Sequence, residues 1–166
     1  MSTQLTAERP TPLAPRLAKE LLANTAFLLG RLGFSFKSRA IEEVEQAGFS
    51  LYDYSVLALL AEEARETQAT IADALRVDRS QLVGVLDSLE ERALVERRRD
   101  PNDRRRHLVS MTPEGRKQLG KLRTIVGRLQ DELLAPLGAD EREALQGLLV
   151  KLAQHHYPGC AGANGA

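Results

Sequence analysis

The sequence is short of the parts from which most active sites are made. It holds one cysteine, three histidines, no tryptophan, four phenylalanines and three tyrosines among 166 residues. A lone thiol closes no internal disulfide and builds no cysteine zinc site, and it suits a reducing cytoplasm. No apolar run nears the ~20 residues of a membrane span and no signal peptide opens the chain, so no membrane partner is expected. No Ser/His/Asp arrangement and no glycine-rich phosphate loop is present, so the reading is of a non-enzyme with no cofactor and no metal. Net charge is missing too: 23 basic side chains meet 23 acidic ones.

That balance hides an asymmetry. Residues 41–66 carry seven acids against Arg65 alone, whereas residues 92–106 carry seven arginines against Glu96, Asp100 and Asp103. The local field, and not the total, decides which polyanion can approach. Arginine supplies eighteen of the 23 cations, and its planar fork suits phosphates and base edges better than lysine does.

Periodicity divides the chain. Residues 1–15, with three prolines, read as a disordered arm. Over 16–47, Leu17, Leu21, Leu28, Leu32 and Phe36 recur at helical spacing, with Gly30 and Gly33 as candidates for a kink or a close crossing. Gly48 closes that helix, and Ser50 with Asp53 opens the next as a capping box with Val56, Leu57, Leu59 and Leu60 inward. Thr67 caps a short helix over Gln68 to Leu75. Asp78, boxed with Gln81, caps another in which Leu82, Val85, Leu86 and Leu89 face the core. Two short helices joined by a tight turn form a helix-turn-helix.

Leu94 to Arg98 and His107 to Ser110 then read as strands around the turn-rich Asp100-Pro101-Asn102-Asp103, a hairpin with an arginine-studded tip. Thr112 caps a helix with Pro113 at its first position, and Asp140 with Glu143 caps a last one holding Leu145, Leu148, Leu149 and Leu152. Residues 157–166 read as a flexible tail. The fold class is mainly α with a small β-hairpin wing.

These elements include specific strings. Thr67-Gln68-Ala69-Thr70-Ile71-Ala72, Val77-Asp78-Arg79-Ser80, Leu94-Val95-Glu96-Arg97, Asp100-Pro101-Asn102-Asp103-Arg104-Arg105 and Leu108-Val109-Ser110-Met111-Thr112-Pro113-Glu114-Gly115 together resemble a winged helix-turn-helix of the MarR (multiple antibiotic resistance regulator) family. The resemblance covers about residues 16–156 in element order, with its motifs within 67–115. It implies a winged helix-turn-helix lobe over 48–112, a dimerisation region over 16–47 and 113–156, and a homodimer on double-stranded DNA. It also implies transcriptional repression relieved by a small aromatic or lipophilic effector, seated near Phe34, Phe36, Tyr52 and Tyr54. Those four residues equally fit a plain core.

The residues support a DNA reading beside the resemblance. With its leucines inward, the helix after Asp78 turns Arg79, Ser80, Gln81, Val83, Gly84, Asp87 and Ser88 outward. Small and amide side chains let a helix enter a major groove ~12 Å wide, where Gln81 can bind adenine bidentately and Ser80 can meet a base or a phosphate. That composition alone favours an ordinary solvated face, and only the neighbouring arginines shift the balance. The family often carries a basic residue late in this helix; Gly84, Asp87 and Ser88 stand there instead, which moves binding toward the wing. Wing candidates are Arg97, Arg99, Asp103, Arg104, Arg105 and Arg106. In the resembled family the Asp103-Arg104-Arg105 string pairs internally and presents arginine to the minor groove. Thr67 and Gln68 are candidate phosphate contacts at a helix N-terminus.

His155, His156 and Cys160 lack a carboxylate spaced to complete a metal set, and Cys160 has no cation near it to activate its thiol. Two rival readings differ in kind. A winged-helix protein–protein adaptor should carry an apolar recognition face, and a small enzyme should carry a catalytic constellation.

Overall fold

The computed structural model describes residues 17–62, 66–101, 103 and 106–157. The arm at 1–15, Arg104, Arg105 and Cys160 lie outside the described residues. Contacts divide the chain into two units, one up to Ser35 and one from Phe36 onward.

The first unit holds α1 (Lys19–Leu22) and the start of α2 (Thr25–Gln46). The single helix expected over 16–47 is thus two, because Asn24 caps a new one: its side-chain oxygen accepts the Phe27 N–H at 2.9 Å. Asparagine at such a position favours a helix start over continuation. Gly30 and Gly33 both lie inside α2, and a Cβ on either meets nothing within 4 Å.

In the second unit, α2 ends before Gly48, which takes φ 80°, a backbone region open to glycine. Next come α3 (Leu51–Glu62), β1 (Glu66–Thr67), α4 (Gln68–Leu75), α5 (Arg79–Glu91), β2 (Val95–Arg99), β3 (His107–Met111), α6 (Pro113–Leu133) and α7 (Ala139–His156). The Ser50–Asp53 box forms as expected, with Ser50 N–H donating to Asp53 at 2.7 Å and Asp53 N–H donating to Ser50 Oγ at 3.0 Å. Two boxes differ. Asp78 is satisfied by Ser80, whose N–H lies 2.7 Å away, and not by the Gln81 side chain. The last helix begins two residues early, capped by Gly138 in place of Asp140: Gly138 N–H donates to Glu141 at 2.8 Å, so Asp140 is already inside it.

The sheet is antiparallel in the order β1-β3-β2, with Val95 opposite Met111 and Glu66 opposite Val109. One core joins it to the helices. Val44, Val56, Leu57, Leu60, Ile71, Leu82, Leu86, Leu89, Val109, Leu119 and Leu122 are buried in it. Each full burial of such a side chain is worth roughly 1.5–3 kcal/mol. Arg92 caps α5 and lays its guanidinium over the Phe49 ring at 3.9 Å. By contrast α7 buries none of its residues, and Leu148 and Leu152 are 62% and 50% exposed. Among the described residues no helix is long and apolar enough to cross a membrane.

Candidate nucleic-acid interface

The start of α4 is held rigidly. Thr67 and Thr70 each accept the other's backbone N–H, at 3.1 and 3.0 Å, and the Thr70 hydroxyl also reaches Glu66. Arg76 then takes φ 51°, the left-handed conformation that turns the chain from α4 into α5. Its guanidinium sits 4.4 Å from the Tyr157 ring centroid at the end of α7. Asp78 caps α5, and the Ser80 hydroxyl and N–H donated to its carboxylate hold it below the usual carboxylate range.

Leu82, Leu86 and Leu89 anchor the buried side of α5, so Arg79, Ser80, Gln81, Val83, Gly84 and Ser88 stand exposed on the other. Space beyond this face is open: a Cβ on Gly84 meets nothing within 4 Å. The start of α4, the start of α5 and the end of the wing converge on one concavity of about 470 Å³. Thr67, Gln68, Arg79, Val83, Arg106 and His107 are among the residues that line it. Five expected DNA residues, Val83 among them, therefore share one surface although they come from three separate parts of the chain. His107 joins them, a residue the sequence did not single out; its place beside the arginines at a strand end was the available signal. Arg106 pairs with Asp103 at 3.2 Å, an exposed contact of the wing with itself.

Two expected DNA contacts are engaged elsewhere. Arg97 and Asp87 face each other at 2.6 Å, and Arg97 is also bound by Glu90. The guanidinium beside Glu90 holds that carboxyl below its ordinary range, while the hydrogen bonds that Arg97 donates to Glu90 and then to Asp87 hold its own value above the ordinary one. Sequence reasoning missed Glu90, although it follows Asp87 by three residues on the same helix face. Ser80 is partly engaged as well, since its hydroxyl donates to Asp78. Arg99 is exposed near the wing tip.

Of the residues named for an effector, the three in the second unit stand in different surroundings. Phe36 lines a recess of about 180 Å³ with Leu133, Leu134, Leu145 and Leu149 from α6, α7 and their junction, and Arg142 stands at its side. Neither tyrosine lines it: Tyr52 is exposed on α3 and Tyr54 packs against the core. Phe34 is 74% exposed.

Comparison with known proteins gives this surface a context. Residues 49–107, which run from before α3 to the start of β3, match the MarR family. The chain is 33% identical over 133 residues to a protein of Thauera aromatica assigned as the transcriptional regulator of its hcr operon, covering 75% of this chain and 80% of that one. The structure of the transcriptional repressor CouR bound to a 23-mer DNA duplex is similar with a TM-score of 0.73 and 32% identity, over 84% of this chain and 99% of that one. CouR of Rhodococcus jostii RHA1 bound to p-coumaroyl-CoA gives 0.71 and 30%, over 85% and 97%. With this element order, this wing and these relatives, the chain belongs to the MarR family of winged-helix transcriptional regulators.

Proposed function

We propose that two copies of the chain form a two-fold dimer that reads a pseudo-palindromic operator, represses transcription there, and is released by a small aromatic or lipophilic effector. The observation that carries the DNA part is the convergence of Thr67, Gln68, Arg79 and Arg106 on one concavity beside the polar face of α5. An adaptor that docks on protein would need an apolar face there. Backbone N–H groups at the start of α4 suit phosphate, the α5 face suits the major groove, and the wing arginines Arg99, Arg104, Arg105 and Arg106 suit the backbone or the minor groove.

The dimer is supported by the leucines that the chain leaves in water. Leu148 and Leu152 stay exposed on α7, and Leu21 and Leu32 stay exposed in the first unit. A two-fold pair would place two reading helices roughly 34 Å apart, one turn of duplex. The effector is supported by the recess beside Phe36 and by the acyl thioester that the similar protein CouR holds. Release is then a shift between lobe spacings that fit and do not fit the operator. Operator and effector must weaken each other's binding by the same factor.

The test is to select bound duplexes from random-sequence DNA, then measure affinity against salt. Arg79→Ala should flatten the log–log salt slope by about one unit per lost phosphate contact. Gln81→Ala should keep the slope and lose roughly 1–3 kcal/mol of discrimination between selected and scrambled duplexes. Absence of salt-dependent binding by the wild-type chain to any duplex would overturn the proposal.

A further inference from the structure

A single side chain ties the reading helix to the wing. Arg97 leaves β2 toward α5, where its Nε donates to Glu90 at 2.8 Å and its Nη2 donates to Asp87 at 2.6 Å. The Arg97 backbone N–H donates to the other Glu90 oxygen at 3.1 Å. The side chain is only 21% exposed, against 76% for its neighbour Arg98. Register explains the difference. Arg97 pairs across the sheet with Val109, which is fully buried, and paired residues project to the same face. The strand alternation thus carries Arg97 to the inner side, where the two carboxylates of α5 meet it.

Resting on the DNA-binding reading above, we infer that Arg97 is a positioning residue that fixes the angle between α5 and the wing and makes no contact with DNA. The hairpin is fastened at its base by the Leu94 carbonyl, which accepts the Thr112 N–H at 3.0 Å. β1 fastens β3, with Glu66 opposite Val109 and Thr67 opposite Leu108. Arg97, three residues out from Leu94, fastens the other strand, β2, to α5, and this sets the direction of the hairpin against the reading helix. Asp87 and Glu90 also surround the guanidinium with negative charge, which disfavours an approaching phosphate. Asp87 accordingly stands on the reading helix as an anchor for the wing and not as a reader of bases.

The two roles predict opposite signs. If Arg97 bound phosphate, Glu90→Gln would free it and remove a repulsive charge, so DNA affinity would rise. As a positioning device, the same change loosens the wing, so affinity must fall. The experiment uses a duplex selected by the wild-type protein from random sequence and a scrambled duplex of equal composition. Glu90→Gln and Arg97→Lys should each weaken the selected duplex on the order of tenfold, through lost preorganisation, and leave the scrambled duplex within about twofold. Their salt slopes should stay at the wild-type value, since no phosphate contact is removed. Arg97→Lys keeps the charge and loses the fork, so wild-type affinity in that variant would overturn the inference. So would tighter binding by Glu90→Gln, or a slope lowered by about one unit in Arg97→Ala. These failures leave the DNA reading intact. A wild-type chain that binds no duplex removes both.

Discussion

A methyl group at position 115 tests the packing at the root of the wing. Gly115 lies in the first turn of α6, and a Cβ there would stand 2.1 Å from the Leu94 carbonyl oxygen and 2.8 Å from Met111 Cγ. The Met111 side chain can move. The carbonyl cannot move freely, because it accepts the Thr112 N–H at 3.0 Å and the Thr112 hydroxyl at 3.1 Å. Gly115→Ala must therefore push α6 away from the hairpin or turn that carbonyl out of its bonds. Overpacking costs about 1–3 kcal/mol, and one weakened hydrogen bond about 0.5–1.5 kcal/mol more. The better helix propensity of alanine returns up to ~1 kcal/mol. These ranges combine to a net loss of about 0.5–4.5 kcal/mol, and for a chain of this size each kcal/mol moves Tm by roughly 2–4 °C. Thermal melting followed by circular dichroism should then show a fall of about 1–18 °C, read at one fixed protein concentration because any association would add stability. Gly84→Ala is the control: it stands mid-helix with nothing within 4 Å, so it should melt up to ~4 °C higher. A Gly115→Ala protein that melts at or above wild type would refute the reasoning.

The double change Leu148→Gln and Leu152→Gln should remove roughly 1.5–3 kcal/mol of burial energy per leucine from the proposed dimer and yield monomer in sedimentation at micromolar concentration; an intact dimer would place the interface elsewhere. Acid should weaken the fold. The carboxyls of Glu90, beside Arg97, of Asp78, bonded by Ser80, and of Glu132, bonded by Arg39 and Arg128, are all held below their ordinary range. A depressed carboxyl stabilises fully above its unfolded value, ~4.3 for Glu, and that share is lost as the pH falls through the folded value. Urea midpoints should therefore drop more between about pH 5 and about pH 3 for wild type than for Glu90→Gln, and equal drops would remove Glu90 from the account.

Local chemistry made much of this fold legible. Ser50 with Asp53, Thr67 and Thr112-Pro113 mark helix starts through bonds that span three residues. The arginine hairpin is likewise announced by its turn residues and its alternation. What escaped depends on partners far along the chain. Glu66 and Thr67 form a strand only because Leu108 and Val109 lie beside them, and two residues carry no period. Asp87 reads as an outward residue of the reading helix, and Glu90 carries no signal of its own, until β2 folds back and sets Arg97 between them. The break at Asn24 was hidden by leucines whose spacing runs across it, a case in which one side-chain cap outweighs the period. The concavity was legible in its members and not in its geometry, since Thr67, Arg79 and Arg106 meet only after the sheet closes.

The knot at the Leu94 carbonyl has a consequence for how such a regulator changes over generations. It closes the hairpin at its base, where Val95 already faces Met111, before the residues between Arg99 and His107 begin. Chain inserted or replaced beyond that point adds only loop-closure entropy, about 0.6 kcal/mol for each doubling of loop length. The tip can gain, lose or reposition arginine while the core beneath it keeps its register. Affinity for a polyanion and the ability to fold are then inherited as separable traits, and the wing tip is the segment to exchange when raising or lowering that affinity without disturbing the core.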